Sequence, residues 1–380
     1  MDSKMHKRAL VSVSNDLFSD QRVDKVCNSL TNMGFEVLLV GRQYKDSPLL
    51  SQRKYKTKRV RLLFRKGAAF YAEFNIRLFF LLLFRKCDIL VSNDLDTLLP
   101  NYLISKIRRK KLVYDSHEYF CGVPELIHRP FVQNCWRRIE KFCVPHLPEM
   151  ITVNQSIADL YDKEYPDRKN KVRVVRNIPT NEKPPIKETR HSLGLPEEKK
   201  LLILQGSGIN VDRGSEELVA AIEMVDDNAL LLIIGKGDAV PALKRQVNER
   251  NLSHKVLFID RVSPDKLFNY TYHADIGFSL DKDTNINYRF SLPNKIFDYM
   301  KAETPVIVSN LPEIAKVVKE TEIGLVIADH RPQTIADSIN MLLRDEMLLM
   351  KFKSNTKIAA KNYTWENEEK VLNDIYSKLL

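Results

Sequence analysis

The chain has 380 residues, 44% apolar and 29% charged, with 12 glycines and a formal net charge of +11. That length exceeds one ordinary hydrophobic core, so two domains are expected, and the composition excludes disordered, collagen-like and low-complexity classes. Five cysteines (Cys27, Cys87, Cys121, Cys135, Cys143) show no CxxC pairing and no zinc-like spacing with histidine, which points to a reducing compartment and no structural metal.

The first strand-like run is Ala9–Ser14. Arg8 precedes it directly, so no signal-peptide pattern is expected at this end. An amphipathic stretch from about Asp20 to Met33 stops at Gly34, and Phe35–Gly41 reads as the next strand. The segment "SQRKYKTKRVRLLFRK", residues 51–66, carries eight cations and no acid. It reads as a solvated face, as an anionic-lipid contact through Leu62, Leu63 and Phe64, or, with least support, as a nucleic-acid contact. A helix-like stretch continues to Arg85. Its longest apolar run, Leu78 to Phe84, is far shorter than the roughly 20 residues of a spanning helix. The expectation is a cytoplasmic protein, peripheral at a membrane and not crossing it. Further strands are read at Asp88–Ser92, Lys111–Asp115, Met150–Asn154 and Val172–Asn177, each separated by a helical stretch.

Residues 178–199, rich in proline and charge, read as a linker. The alternation restarts at Leu201–Gly206, Ala229–Gly235, Lys255–Asp260, Ala274–Leu280, Thr304–Ser309 and Gly324–Ile327. Near-continuous apolar strands separated by helices mean parallel sheets covered on both faces. The fold class expected is α/β, with two tandem Rossmann-like doubly wound domains facing across a cleft. An acceptor domain would span 1–177 and a donor domain 200–361, with residues 362–380 a helix packing back on the first domain. Ligands of such sheets bind outside the carboxyl ends of the strands.

Chemistry-bearing residues gather at those ends. In "QGSGINVDRGSEELVAAI" a strand ends at Gly206 and a helix starts near Gly214, where free N–H groups favour an anion. Gly206 and Gly208 permit close approach, and Arg213 offers a fork suited to phosphate; an ordinary turn with a surface arginine is the plain alternative. "IIGKGD" repeats the arrangement with Gly235 and Gly237. Leu292–Pro293 precedes a third such start at Asn294, with Lys295 able to reach phosphate. Asp298 either accepts from a ribose diol or stabilises the helix dipole. In the first domain "VYDSHEYF" sets Asp115, His117 and Glu118 at a strand end. Asn15–Val23, with Asn15, Asp16, Asp20 and Arg22, follows the first strand.

The order and spacing of these stretches, with "FSDQRVDKVCNSLTNMGFEVLLV", "DILVSNDLDTLLP", "ITVNQSIADLY" and "SLPNKIFDYMKAETPVIVSNLPE", resemble retaining glycosyltransferases of family 4, which have the GT-B fold. The resemblance implies sugar transfer from a nucleotide-sugar, UDP- or GDP-linked, to a glycan or lipid-linked acceptor, with no metal. It implies that Arg213 and Lys295 hold the pyrophosphate beside Gly206, Ser207 and Gly208, that Asp298 binds the ribose, and that Asp260 and Arg261 frame the base. His117 would sit beside the transferred sugar, with Glu118 and the 15–22 loop toward the acceptor. The family often carries two acids eight positions apart. Here the later is Asp298 and the earlier position is Phe290, so Asp281, Asp283 and Asn287 are the nearby candidates for the sugar hydroxyls. Asn15-Asp16-Leu17 stands where many members have a glycine pair. The rival readings are a sugar-nucleotide epimerase of the same fold and a non-catalytic partner protein that binds nucleotide-sugar or membrane.

Overall fold

A computed structural model describes residues 7–18 and 20–379; Ser19, inside the 15–22 loop, lies outside the described residues. The chain divides into two compact units, residues 1–177 with 368–380, and residues 178–367.

The first unit is built on a parallel seven-stranded sheet. Its strands are β1 (Arg8–Asp16), β2 (Glu36–Gln43), β3 (Lys56–Arg61), β4 (Ile89–Asn93), β5 (Lys111–Ser116), β6 (Glu149–Thr152) and β7 (Arg173–Val174), in the order β3-β2-β1-β4-β5-β6-β7. β4 is buried at every position and β1 over its middle six, which is why they read as unbroken apolar runs. β3 was not expected. It lies in the basic segment, where alternating cations conceal the β-branched Thr57 and Val60. It is an edge strand paired with β2, and cations on an edge discourage further strand addition.

Helix α1 (Gln21–Asn32) is capped by Asp20, whose carboxylate accepts the Val23 N–H at 3.1 Å. Helix α2 (Gly67–Phe84) buries Phe70, Phe74, Leu78 and Leu82, four residues apart on one face. The run Leu78–Phe84 is thus part of an 18-residue helix that is long and apolar enough, by length and composition, to cross a membrane, and only 22% of it is buried. Helix α3 (Leu95–Ile107) packs against α2 and starts after Asp94, whose φ of 57° is unusual for a residue other than glycine. The chain end returns to this unit, where Leu372, Ile375 and Tyr376 are buried. Glu368 accepts from the Arg176 N–H at 2.7 Å and from its guanidinium at 2.9 and 2.6 Å.

The second unit holds a parallel six-stranded sheet: β8 (Lys200–Gly206), β9 (Ala229–Gly235), β10 (Val256–Ile259), β11 (Ile276–Ser279), β12 (Val306–Val308) and β13 (Gly324–Val326), in the order β10-β9-β8-β11-β12-β13. Side-chain alternation along β8 feeds two cores. Leu202 and Leu204 pack on one face, and Leu201 and Ile203 on the other. Residues 178–199 are part of this unit, with Ile178, Leu193 and Leu195 in the second of those cores. Strand order reverses between β1 and β4 in one sheet and between β8 and β11 in the other, the two crevices where ligands of such sheets bind.

One buried acid makes the first unit's stability pH-dependent. Glu140, on the helix Pro130–Cys143, is 1% exposed and accepts the Tyr165 hydroxyl at 2.9 Å. Burial pushes its pKa up to about 7. The folded state keeps a proton that the unfolded chain releases near pH 4.3. Raising the pH from there to about 7 therefore draws the equilibrium toward unfolding, and above 7 the effect is complete. Glu140→Gln is expected to raise the urea midpoint at pH 8 relative to the parent while leaving it little changed at pH 4.5. Parallel urea midpoints for the two proteins across that range would show that Glu140 is ionised throughout.

Candidate functional site

At the carboxyl edge of the second sheet, the loop after β8 is laced to the loop after β9. The Ile209 N–H donates to the Lys236 carbonyl at 2.9 Å and the Val211 N–H to the Asp238 carboxylate at 3.0 Å. Gly235 and Gly237 serve this packing: a Cβ would lie 1.8 Å from the Gly206 carbonyl oxygen and 2.0 Å from that of Ile209. Gly206 and Gly208 differ. A Cβ there would meet nothing nearer than 3.7 and 3.5 Å, so packing within the unit does not demand glycine at either position. Ser207 between them is exposed.

The same loop ends at Arg213 and Gly214. Gly214 is the N-cap of the helix Ser215–Ile222 and has a φ of 71°. A Cβ there would come within 2.2 Å of the Leu280 carbonyl oxygen, so the helix start sits directly against the end of β11. The next residue along, Asp281, is 1% exposed. It accepts from Arg213 Nη1 at 3.5 Å and from the Ser291 hydroxyl at 3.2 Å. It is a buried counter-ion and not a carboxylate open to sugar hydroxyls. Asp283 is exposed beside Arg289, 3.7 Å away, and Asn287 is 9% exposed. The Arg213 guanidinium lies 4.8 Å from the Tyr288 ring centre, and its Nε is buried with no hydrogen-bond partner among the described residues.

Lys295 is the second cation here. Burial lowers its pKa, the Asp281 charge opposes that shift and Arg213 adds to it. It lies in the first turn of the helix Asn294–Lys301, which has no side-chain cap at Pro293; the helix Ser215–Ile222 has none at Gly214 either. Asn294 is exposed and Asp298 half-buried, while Ile296, Phe297, Tyr299 and Met300 face the core. Asp298 is the fifth residue of that helix. The helix dipole acts within the first turn, so it gives a weak account of an acid at this depth. Asp260 and Arg261 are both exposed after β10.

In the first unit, His117 follows β5. Its Nδ1 is 3.2 Å from Asp94 Oδ2, its Nε2 is 3.2 Å from Asn93 Oδ1, and its backbone N–H donates to Asp94 Oδ1 at 2.8 Å. The Asn93 amide donates to the Ser12 carbonyl at 3.0 Å, which turns its oxygen toward the ring. Asp94 thus orients His117 from the end of β4. It was not singled out in the sequence, although "SNDLD" directly after a strand was the available signal. Asp115 Oδ2 also lies 3.8 Å from His117 Nε2, but Asp115 is not an accessible group. It is 1% exposed and takes a two-point contact from Arg22 at 2.7 and 3.2 Å, while Arg22 Nη1 donates to the Val175 carbonyl at 2.7 Å.

Arg22, 3% exposed, therefore stitches α1 to the strand ends and does not face outward as an acceptor contact. Asp16 is also engaged. Burial favours its protonated form, but the Ser47 hydroxyl, the Phe18 N–H at 3.0 Å and Arg59 at 3.2 Å hold its pKa below the usual range. Asp20 is the α1 cap, and Asn15 is exposed with its amide 3.5 Å from Asp20. Glu118 is exposed beside His117. A cavity of about 290 Å³ lined by Lys106, Arg109, Lys110 and His146 lies toward the opposite, amino-terminal end of β5. Among the described residues, no group of three or more His, Cys, Asp or Glu is arranged to hold a metal ion.

Comparison with known proteins identifies the architecture. Residues 185–359 match the family model for glycosyl transferases group 1, and residues 20–178 match that for glycosyltransferase family 4. An uncharacterised glycosyltransferase of Methanocaldococcus jannaschii is 24% identical over 241 residues, 60% of this chain and 59% of the relative. The chain spans about half the length of the curated relatives it matches. Sucrose-phosphate synthase from Thermosynechococcus elongatus superposes with a TM-score of 0.80 at 16% identity, covering 98% of this chain and 99% of that one. Anabaena HepE in complex with UDP and glucose superposes at 0.76 and 16% identity, covering 98% and 100%. Such identities speak for the fold, two doubly wound α/β sheets of the GT-B type. With both family models placed in order along the chain, the protein belongs to the group 1, family 4 glycosyltransferases.

Proposed function

We propose that the protein is a retaining glycosyltransferase that moves a sugar from a nucleoside-diphosphate sugar to a glycan or lipid-linked acceptor, in bacterial surface-polysaccharide synthesis at the inner face of the cytoplasmic membrane. The observation that carries this reading is electrostatic. Arg213 and Lys295, with two helix starts lacking side-chain caps, share one buried carboxylate, Asp281. Two cations against the one carboxylate they share suit a pyrophosphate. HepE, solved with UDP and glucose, supports a UDP-linked donor, and GDP is the alternative.

In the reaction the bond between the anomeric carbon and the phosphate oxygen breaks, and one to the acceptor hydroxyl oxygen forms on the same face. The acceptor proton leaves with the nucleoside diphosphate. Negative charge grows on the pyrophosphate as the bond breaks. Arg213, Lys295 and the two helix starts stabilise it from fixed positions, which is the kind of preorganisation that lowers a barrier without a metal. Gly206, Ser207 and Gly208 let the loop backbone approach the phosphates, Asp298 takes the ribose diol, and the exposed Asp260 and Arg261 frame the base. His117, with its ring held by Asp94 and Asn93, contacts the transferred sugar. Asn15 and Glu118 are the exposed candidates on the acceptor side.

Arg213→Ala is expected to lower turnover by roughly 10²-fold, comparable to removing one transition-state donor. Near-parental turnover in an assay of UDP-sugar consumption would exclude Arg213 from the phosphate site.

Asp298 is tested by binding alone. A nucleotide at about 100 times its dissociation constant adds roughly 2.7 kcal/mol of stability. UDP or GDP is expected to raise the melting temperature of the parent and to raise that of Asp298→Ala much less. Equal stabilisation of both would remove the ribose assignment, and none in either would remove the nucleotide-sugar premise.

A further inference from the structure

We propose that the outward face of α2, together with Leu63 and Phe64, docks on the surface of an anionic lipid bilayer. α2 is apolar on two opposite faces. Phe70, Phe74, Leu78 and Leu82 pack inward, while Ile76, Phe80 and Phe84, also four residues apart, are 58%, 53% and 78% exposed. A helix apolar all round is normally enclosed by protein or lipid. Here one side is enclosed and the other forms a stripe of large apolar side chains, which marks an interaction surface.

The stripe is extended by a built contact. Glu73 accepts the Leu63 N–H at 2.9 Å and the Phe64 N–H at 3.0 Å, and pairs with Arg77 at 2.7 Å. The chain before α2 is thereby held against the helix, with Leu63 81% and Phe64 52% exposed. The expectation from sequence placed a lipid contact on residues 51–66. The structure divides that segment. Arg53 donates to the Leu17 carbonyl at 2.6 Å and Arg59 pairs with Asp16 at 3.2 Å, so both serve the fold. The free apolar surface lies further along, from Leu63 to Phe84.

Charge selects the occupant. Between residues 51 and 87 there are eleven Lys and Arg and a single acid, Glu73. Exposed cations stand at both ends of the helix: Arg61, Arg65 and Lys66 before it, Arg85 and Lys86 after it. Two copies meeting through this face would bring like-charged clusters together. A bilayer in whose plane the helix lies takes the apolar stripe into the boundary of its acyl region and offers headgroup phosphates to the flanking cations. This inference does not depend on the donor reading, and a bilayer-binding failure leaves nucleotide stabilisation unaffected.

The test is flotation of the full chain with vesicles of phosphatidylcholine alone or mixed with phosphatidylglycerol, at low and high salt. Binding is expected only to the anionic vesicles, weakening by about tenfold or more at high salt. Phe80→Asp with Phe84→Asp, and separately Arg85→Glu with Lys86→Glu, are each expected to lower the partition coefficient at least about tenfold. These positions are exposed, so melting temperature and nucleotide binding should stay at parental values. Equal binding to neutral vesicles, no binding to either, or full binding by both variants would overturn the proposal. A dimer in sedimentation analysis that Phe80→Asp with Phe84→Asp dissolves would assign the face to a second copy of the chain.

Discussion

The cationic edge of the second sheet depends on one buried carboxylate. Asp281 is 1% exposed at the end of β11, and an unpaired charge there would cost several kcal/mol. Arg213, the Ser291 hydroxyl and the field of Lys295 satisfy it. The converse also holds. Without Asp281, Arg213 and Lys295 would lose the carboxylate they share, and Glu216 and Glu217 offset only the dipole of their own helix. One carboxylate cannot neutralise both cations. The Arg213–Asp281 contact is long at 3.5 Å, and Lys295 is disfavoured as a cation by burial and by Arg213. Under the function proposed above, a bound pyrophosphate would relieve the repulsion between Arg213 and Lys295.

The first unit handles polarity differently. Its switch-point crevice is lined by polar side chains that bond to one another, though Asp96 Oδ1 and Asn101 Oδ1 find no partner among the described residues. Arg22 and Asp115 pair through two contacts, Asn101 donates to the Ser12 hydroxyl at 2.7 Å, and Ser92 meets Thr97 at 2.7 Å. Networks of this kind fix geometry more than they add net charge. Their product is an oriented His117 with Asp94 at one nitrogen and Asn93 at the other. The second unit gathers Arg213 and Lys295 around one buried acid, and the first unit holds an oriented histidine.

Buried parallel strands were legible because burial on both faces demands unbroken apolar runs, as in β1, β4 and β8. β3 was not, because an edge strand can carry cations that read as loop. The length of α2 was hidden by Glu73, Asn75 and Arg77, which interrupt the linear apolar run without interrupting either apolar face. The charged groups at strand ends were found by type, but sequence could not separate those that face a ligand from those that hold the fold. Arg22 and Asp281 lie too far from their partners in sequence for any local pattern to reveal them: Asp115 is 93 positions from Arg22, and Arg213 is 68 from Asp281. Asp94 escaped because the histidine it holds lies 23 positions away, so the acid in "SNDLD" carried no local sign of its partner.

The placement of Asp298 and Lys295 is set from beneath. The helix that carries them is anchored by Tyr299, whose hydroxyl donates to the carbonyls of Ile203 on β8 and Phe278 on β11, both at 3.2 Å. Its ring occupies the space left by Gly277, where a Cβ would come within 2.8 Å of ring carbons. A rigidly seated helix fixes where a short aspartate side chain can reach more tightly than it would a longer glutamate. Any side chain at 277 would press on the Tyr299 ring, lift the helix and move Asp298 and Lys295 together. The position of both therefore depends on a glycine in the strand beneath them.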